Sequence, residues 1–439
     1  MPSSKPYNLA IVGGGISGLT LAIALLQHNI PITIYEAAPH FGEIGAGVAL
    51  GPNAGRAMEL MSSKIYSAFL KCKTGNKSSK DSWFTIRVGD ARKADANGYV
   101  KKDVKVGEAL FNVPFNTTEG RGGVYRAHFL DELIKEIPQG IAKFDKRLTG
   151  MDEAKDGSGD IVLQFTDGTT AQHNAVIACD GIKSFARKWM LGEDDPVSKA
   201  IFSGKYAYRG LIPMEKASEL LGDEVAQNSQ IFLGYHGHLL TFPVEHGKTM
   251  NGKYYILYVV AFNSRDTWED DKWVVSTSKE VMEADFAGWG PHVQKIIGAM
   301  EKPDIWALFM HLPCKTYTKG RVCLSGDAAH ATTPHQGAGA GMCIEDSYIL
   351  SSLIKEADTI EDVERAFKAF DAVRRERSQK NVVTSLEAGK LYDFELLGDD
   401  LDKIQDNFLT RMQWIWHVDL QEQLAQAQKI FHAEEKPRI

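Results

Sequence analysis

Short apolar runs and a helical pattern alternate over the first forty residues. Residues 9–12 are continuously apolar, residues 17–27 repeat apolar positions at helical spacing, and residues 32–36 are rich in β-branched side chains. Short apolar runs are typical of buried strands, and the periodic segment between them is long enough for a helix. The pattern predicts a strand, a helix and a second strand, the unit from which nucleotide-binding sheets are built.

Further along the chain, the same kind of pattern predicts more elements of this sheet. Three apolar runs read as strands and one periodic segment reads as a helix: residues 161–165, 175–179 and 322–325, and residues 339–354. Asp167-Gly168 is a hairpin signal after the first of these runs.

The middle of the chain has a different pattern, in which apolar and polar residues alternate over long stretches. These stretches predict strands at residues 205–213, 230–244, 254–262 and 305–313. Asn251-Gly252 predicts a hairpin turn, and residues 277–300 predict a helix. We therefore expect a mostly antiparallel sheet inserted into the nucleotide-binding domain.

This organisation predicts four segments. Residues 1–200 and 317–360 form the two parts of a Rossmann-like α/β domain, residues 201–316 form the inserted sheet, and residues 361–439 form a helical region. The last region is charge-rich, and Trp414, Trp416 and Leu420 are its expected buried anchors, which would brace the first domain.

Composition narrows the possible partners. A chain of 439 residues is long enough for two lobes with a ligand between them. The formal charge of -7, with Lys and Arg thinly spread, gives no electrostatic footprint for nucleic acid or an anionic membrane. The five cysteines are far apart and have no metal-ligand spacing, which predicts buried thiols in a reducing compartment. Glycines interrupt the apolar residues 9–26, so we expect a cytoplasmic protein.

A glycine-rich turn follows the first predicted strand. Gly13, Gly15 and Gly18 have the spacing that permits a tight turn, close approach to a pyrophosphate, and close packing of helix on strand. Glu36, at the end of the second strand, is placed to accept hydrogen bonds from ribose hydroxyls. The turn predicts a dinucleotide-binding site, but it does not indicate whether the ligand is FAD or NAD. The alternative is a glycine-rich turn that binds no ligand.

Two later motifs bear on that choice. They are Asp180-Gly181-Ile182-Lys183-Ser184, with Arg187 behind it, and Gly326-Asp327-Ala328-Ala329-His330, followed by Pro334. Together they resemble those of the class A flavoprotein monooxygenases, and the resemblance extends to about residue 390. It implies that FAD is the cofactor, that Asp327 holds the ribityl chain, and that Asp180 supports the pyrophosphate. An ordinary turn is the alternative for Asp180.

The resemblance also assigns the remaining cofactor contacts. Arg126 matches the family's arginine that reaches the phosphate and ribose, with a solvated helix-start arginine as the alternative. The small residues after Thr333 imply a helix start beneath the flavin pyrimidine, with Pro334 beside the reactive carbon and Gly339 and Ala340 at the ring. Ala49 belongs to residues 44–53, which resemble a segment of fungal salicylate hydroxylases.

Two residues of the inserted sheet are candidates for the substrate site. Arg209, in Tyr208-Arg209-Gly210, matches an arginine that anchors a phenolate or carboxylate in some relatives, and pairing to a structural acid is equally compatible with the sequence. His238 could take a phenol proton or bond a carboxylate, although a histidine satisfied within the core is the commoner case. Phe242 stands where dearomatising relatives carry a tyrosine, which argues against dearomatisation.

The implied activity is hydroxylation of a phenol. In the family, NADH or NADPH reduces FAD, dioxygen adds to the reduced flavin as a C4a-hydroperoxide, and the phenol attacks its distal oxygen. The closest resemblance implies conversion of salicylate to catechol with loss of carbon dioxide. Hydroxylation or dearomatisation of a larger fungal phenol, and a non-catalytic flavin-binding protein, remain the alternatives.

Overall fold

The structure is a computed structural model that describes residues 5–42, 46–78, 80–92, 104–115, 122–249 and 252–433, and the side chains of residues 246–253 are outside the description. Ile44 and Gly45, which contribute to one resemblance, and Asn251 of the predicted hairpin turn lie outside the described residues.

The strands of the described chain are β1 (Leu9–Val12), β2 (Ile32–Tyr35), β3 (Gly47–Leu50), β4 (Ser82–Val88), β5 (Ala109–Pro114), β6 (Gly122–Tyr125), β7 (Ala142–Lys143), β8 (Leu148–Glu153), β9 (Ile161–Phe165), β10 (Thr170–His173), β11 (Ala175–Ala178), β12 (Ala200–Pro213), β13 (Gln230–Leu233), β14 (Gly237–Thr249), β15 (Gly252–Ser264), β16 (Val274–Val275), β17 (Ile305–His311), β18 (Thr318–Lys319) and β19 (Val322–Leu324).

The α-helices are α1 (Ile16–Leu26), α2 (Pro52–Met61), α3 (Ser63–Cys72), α4 (Arg126–Ile134), α5 (Phe185–Leu191), α6 (Met214–Leu221), α7 (Asp223–Ala226), α8 (Lys279–Asp285), α9 (Pro291–Ala299), α10 (Asp327–His330), α11 (Gly339–Glu356), α12 (Ile360–Tyr392), α13 (Leu401–Arg411), α14 (Gln413–Trp416) and α15 (Leu420–Ala433). Every described helix is too short or too polar to span a bilayer.

A six-stranded sheet forms the first layer, in the order β18-β19-β11-β1-β2-β7. Its strands run parallel except for β18, and β1, which is buried throughout, pairs with β11 and β2. The predicted strand, helix and second strand are thus present at the expected places. Because parallel strands end at one edge, the chain segments after β1, β11 and β19 come together there, where open α/β sheets bind ligands.

An eight-stranded sheet forms the second layer, in the order β16-β17-β12-β15-β14-β13-β4-β5. It is antiparallel except where β13 runs parallel to β4. The sheet reaches beyond the predicted segment 201–316, because β4 and β5 come from the first 200 residues of the chain. This long-range pairing carries no local signal in the sequence.

Two predicted elements of this region are divided in the structure. The predicted strand 230–244 is a hairpin of β13 and β14, and His236 at its turn has φ 62°, in the left-handed region. The predicted helix 277–300 is two helices, because Gly290 caps α9 and Pro291 occupies its first turn, where proline fits without losing a hydrogen bond.

The C-terminal helices contact both layers. The long helix α12 begins with a capping box between Thr359 and Asp362 and packs, with α15, against α11. Helices α13 and α14 instead bury their apolar residues against the second sheet. Trp416 and Leu420 are buried as expected, whereas Trp414 is partly exposed beside the cations of Arg377 and Lys380.

Helices α11 and α12 are joined by a buried ion-pair cluster. The guanidinium of Arg374, with no exposed surface, donates to Asp346 at 2.8 Å and to Glu345 at 2.7 Å. Arg377 adds a second guanidinium on Glu345 at 2.8 Å. Burial alone would raise the pKa of Glu345, but Arg377 and Arg374 lower it to about 2. The carboxylates are therefore ionised and depend on these arginines.

This cluster gives a prediction about stability. Arg374→Ala leaves two buried carboxylates with less compensation, so the protein should lose about 3–5 kcal/mol of unfolding free energy. Arg375→Ala, its neighbour, removes only a partly exposed pair with Asp371 and should cost less than about 1 kcal/mol. Urea denaturation of the FAD-loaded variants compares them. Equal losses would show that the buried cluster is not the stabilising feature.

Candidate active site

A cavity of about 510 Å³ lies between the two layers. One end is lined by the edge of the first sheet and the turn after β1, and the other by the inner face of the second sheet. Its size is within the range of small-molecule and cofactor sites. The cavity brings together every predicted cofactor-binding residue except Gly18, which lies inside α1.

The glycine turn at the first end requires glycine. A Cβ on Gly13, whose φ is 108°, would lie 2.2 Å from the Cys179 carbonyl oxygen, and one on Gly18 would lie 1.9 Å from the Gly13 carbonyl oxygen. Gly15 caps α1 with no side-chain hydrogen bond, so the first N–H groups of the helix face the cavity. This arrangement suits a pyrophosphate.

Two carboxylates stand beside this turn. Glu36 accepts from the Gly14 N–H at 2.7 Å and the Ala38 N–H at 2.8 Å, and its remaining acceptor sites can take ribose hydroxyls. One oxygen of Asp180 accepts from the N–H groups of Phe185 and Ala186, while its other oxygen has no partner in the described part of the chain. Burial raises the pKa of Asp180. Asp180 therefore binds the first N–H groups of α5, next to the N-cap Ser184, and is itself part of the cavity lining.

Arg126 and Asp327 both line the cavity. A terminal guanidinium nitrogen of Arg126 lies 4.0 Å from the position that a Cβ on Gly15 would occupy, within reach of a phosphate on the turn. Asp327 begins α10 and lines the cavity with its carboxylate exposed, and no described side chain pairs with it. An exposed acid in a cavity wall suits hydroxyl groups such as those of a ribityl chain.

The segment before α11 forms the middle of the cavity wall. Gly337 has φ 57°, and a Cβ there would lie 2.9 Å from the Ala49 Cβ, which brings these two predicted segments into contact. Helix α11 begins at Gly339 without a side-chain cap, so the N-terminus of an 18-residue helix faces the cavity. Small residues and free N–H groups fit the anionic edge of a flat ring, and the whole set of donors and acceptors fits FAD.

Arg209 supplies positive charge at the substrate end. On β12, Ala207 and Arg209 face the cavity, whereas Tyr206 and Tyr208 face the opposite core. The Arg209 guanidinium lies 4.3 Å from the centre of the Trp306 ring, and no carboxylate in the described chain pairs with it. The alternative of a structural acid partner therefore finds no support among the described residues.

The structure places His238 behind the cavity wall. It is fully buried, is not among the lining residues, and bonds Asp393 Oδ1 through Nδ1 at 2.6 Å. Its ring stacks on Phe262, which does line the cavity, with centres 4.2 Å apart. A molecule in the cavity therefore does not contact His238 directly. The predicted role of His238 as a residue that bonds the substrate does not fit this position.

Comparisons with known proteins agree with this geometry. A family model described as an FAD binding domain matches residues 291–385, and one described as an NAD(P)-binding Rossmann-like domain matches residues 11–48. The chain is 41% identical over 98% of its length to a 6-methylsalicylate 1-monooxygenase of Aspergillus terreus, covering 94% of that protein. It is 37% identical over 95% of its length to a salicylate hydroxylase of Pseudomonas putida, again covering 94%.

A solved salicylate hydroxylase substrate complex superposes with a TM-score of 0.81 and 31% identity, over 96% of this chain and 98% of that one. The chain belongs to the salicylate hydroxylase family of FAD-dependent monooxygenases. The predicted family, fold class and enzyme class are confirmed, as is FAD as cofactor with NAD(P)H as reductant. Among the described residues no cluster could hold a metal ion.

Two cavity residues of this monooxygenase, Tyr258 and His335, are not among the candidates that the sequence predicts. Tyr258 on β15 lies directly opposite Phe242 on β14, so a tyrosine is present beside the position where one is missing. Burial raises the pKa of Tyr258, and the charge of Arg209 opposes that shift. His335 lies within the segment around Pro334 that the resemblance highlighted. The pairing of β14 with β15 is what places Tyr258 beside Phe242, and the sequence alone does not reveal which residues of two strands lie opposite each other.

The cofactor end predicts a loss of flavin in one variant. Asp327→Ala removes the exposed carboxylate, and loss of charge-assisted hydrogen bonds should raise the Kd for FAD by about 10–100-fold. Flavin absorbance of the purified variant and fluorescence titration with FAD measure the change. Asp406→Ala, an exposed acid on α13, is the matched control and should retain full flavin. Retention of flavin by the Asp327 variant would refute its role.

Proposed function

We propose that this monooxygenase converts salicylate to catechol with release of carbon dioxide. The observation that carries the proposal is Arg209, a cation without a described carboxylate partner that faces the apolar end of the cavity. Such a group favours an aromatic substrate that carries negative charge. The relatives named salicylate hydroxylase and 6-methylsalicylate 1-monooxygenase act on molecules of this class by their names.

The second sheet supplies the walls that would hold the aromatic ring. The lining residues from this sheet, apart from Arg209, are apolar or aromatic: Trp83, Phe84, Ala207, Ile231, Leu240, Phe242, Tyr258, Val260, Phe262 and Leu308. They exclude water and hold the ring flat near the N-terminus of α11. Positioning of this kind lowers the barrier because the reacting atoms are already close together.

Arg209 and Tyr258 would orient the polar groups of the substrate. The guanidinium can bond a carboxylate or a phenolate through two N–H groups, and the Tyr258 hydroxyl can donate a third hydrogen bond. FAD, when bound, would supply the redox chemistry by taking a hydride from NAD(P)H and activating dioxygen. The phenolate ring then receives one oxygen atom at the carbon that bears the carboxylate. That carbon–carbon bond breaks, its electrons stay on the ring, and carbon dioxide leaves.

Steady-state turnover tests the proposal directly. Salicylate should stimulate NADH or NADPH oxidation and oxygen consumption, and catechol and carbon dioxide should form in equal amounts. A panel with 6-methylsalicylate, unsubstituted phenol and a larger phenolic ketone measures specificity. Turnover of the larger phenol but not of salicylate would reject the proposed substrate. Oxidation of NADH with hydrogen peroxide as the only product, for every phenol, would reject the hydroxylase function.

Arg209 gives the variant that locates the substrate. Arg209→Ala should leave flavin content unchanged and raise the KM for salicylate by about 10–100-fold, because one charged anchor is lost. Arg265→Ala is the matched control: this exposed arginine packs on Tyr206 and Trp268, away from the cavity, and the variant should keep the parent KM. An unchanged KM in the Arg209 variant would show that Arg209 does not bind the negative charge of the substrate.

A further inference from the structure

The guanidinium of Arg209 lies against the ring of a neighbouring tryptophan. Its central carbon is 4.3 Å from the centre of the Trp306 ring, and its side chain bonds no carboxylate in the described chain. The negative face of an indole attracts a cation that stands above it. A carboxylate partner would occupy the N–H groups of a guanidinium, whereas a ring face leaves them unused. The N–H groups of Arg209 are therefore available to a ligand.

The register of the second sheet brings this ring and this cation together. Trp306 on β17 pairs with Ala207 on β12, so both side chains stand on the face of the sheet that lines the cavity. Arg209 is two residues further along β12 on the same face, diagonal to Trp306 and within reach of a long side chain. Strand β17 begins at Ile305, which pairs with Tyr208. No residue of β17 therefore stands directly opposite Arg209, and the indole covers that place.

The acids beside this part of the sheet bond other groups. Asp304, which immediately precedes β17, accepts from the Ser276 hydroxyl at 2.8 Å. Asp285, on the opposite face of the sheet, accepts from the Tyr208 hydroxyl at 2.7 Å. The positive charge of Arg209 is therefore held by a π face and not by an acid of the described chain.

Trp306 itself stands outside the cavity. Arg209, Ala207 and Leu308, on the same face of the sheet, line the cavity, whereas the partly exposed Trp306 does not. The indole therefore contacts the guanidinium from outside the cavity and leaves the ligand side open. It also restricts a long side chain that would otherwise lose conformational freedom when a ligand binds, and this loss weakens binding.

We propose that Trp306 is a positioning residue that fixes Arg209 for carboxylate binding, and that the pair selects aromatic substrates with a carboxylate over neutral phenols. The inference rests on the proposed function, since it assigns the negative charge of the substrate to Arg209. Trp306 acts through the guanidinium and does not contact the substrate.

The same pair distinguishes the substrate from the product. Salicylate carries an ionised carboxylate at neutral pH, whereas the phenolic hydroxyls of catechol stay protonated, as that of tyrosine does. Loss of carbon dioxide thus removes the group that Arg209 recognises. The reaction itself weakens the hold on the aromatic ring, which favours exchange of catechol for a new salicylate.

Trp306→Leu is the main test variant, because it removes the π face and keeps an apolar side chain. Changes in flavin absorbance of the FAD-loaded protein measure the Kd for salicylate and for benzoate, a carboxylate without the hydroxyl. Both Kd values should rise about five- to tenfold, because the ligand must now order the Arg209 side chain. The Kd values for catechol and phenol should stay within about twofold, since neither ligand carries a carboxylate.

Turnover gives a second measurement on the same variant. The KM for salicylate should rise with the Kd, while kcat and FAD content stay within about twofold of the parent, because the contact is made before and during the reaction alike. Trp306→Phe keeps a smaller π face and should recover part of the lost affinity, since tryptophan gives the strongest cation–π contact and phenylalanine a weaker one. Recovery by Phe serves as the conservative rescue.

The Arg209→Ala background shows whether the ring acts through the guanidinium. Adding Trp306→Leu to Arg209→Ala should leave the salicylate Kd within about twofold of the single Arg209 variant, because the interaction is already lost. A full five- to tenfold effect of the tryptophan change in this background would show that Trp306 acts in another way, and the inference would be wrong.

Trp268→Leu is the matched control. Trp268 is a second partly exposed tryptophan beside an arginine, with its ring centre 5.3 Å from the Arg265 guanidinium, and it packs on the opposite face of the sheet. This variant should keep the parent Kd values. If it weakens salicylate binding as much as Trp306→Leu does, the effect is a general one of tryptophan loss and the inference is wrong.

The outcomes separate this inference from the proposed function. If the parent hydroxylates salicylate and Trp306→Leu keeps the parent Kd and KM, the positioning role is wrong and the function stands. If Trp306→Leu weakens catechol and phenol as much as salicylate, the ring shapes the cavity and does not serve charge selection, so the inference is again wrong. If the parent neither binds nor hydroxylates salicylate, the function fails and the inference fails with it.

Discussion

The buried ion-pair cluster on α11 is the constraint that orders the cofactor end of the molecule. Besides binding Arg374, Asp346 accepts from the Gly326 N–H at 3.3 Å and bonds His330 at 2.6 Å, which fixes the turn that presents Asp327. Glu345 accepts from Asn53 at 2.7 Å and so holds α2, which follows the strand that carries Ala49. Because buried charges tolerate little displacement, one face of α11 sets the positions of several cavity segments.

This constraint explains why the motifs work together although they are far apart in sequence. The N-terminus of α11 faces the cavity, and the middle of the same helix holds the Asp327 turn and α2 in register with it. The distance from the start of α11 to the Asp327 turn is thereby set by one rigid element. Buried contacts of this kind behind the lining residues keep a functional site within about 0.5 Å of its working geometry.

The sequence predicts the first sheet well and the second only in part. The apolar runs at residues 9–12 and 175–179 and the glycine turn are local signals, so they predict the strands, the turn and the dinucleotide site. The pairing of β4 with β13 joins residues about 145 apart, and no local pattern encodes it. The opposition of Tyr258 and Phe242 is likewise a matter of register between strands.

The individual site residues also divide into those that a local signal predicts and those that depend on packing between distant segments. Gly13 and Gly18 could be predicted because the backbone itself excludes a side chain at those positions. The position of His238 could not, since whether a strand residue lines a cavity or stands behind its wall depends on what packs across the sheet. Here Phe262 and His335 stand in front of it, and Asp393, from beyond the end of α12, decides its bonding.

Helix α12 connects the ion-pair cluster at the cofactor end with the buried histidines at the substrate end. Arg374, which compensates the cofactor-side carboxylates, and Asp393, which follows the helix, are 19 residues apart, or about 28 Å at helical rise. Gly389 lies between them and gives His335 its place. A displacement of α12 would therefore move the supports of the flavin segment and of the buried histidines together. Hydroxylation of an aromatic substrate requires the flavin and the ring to meet in one geometry, and a single continuous helix supports both ends of the cavity.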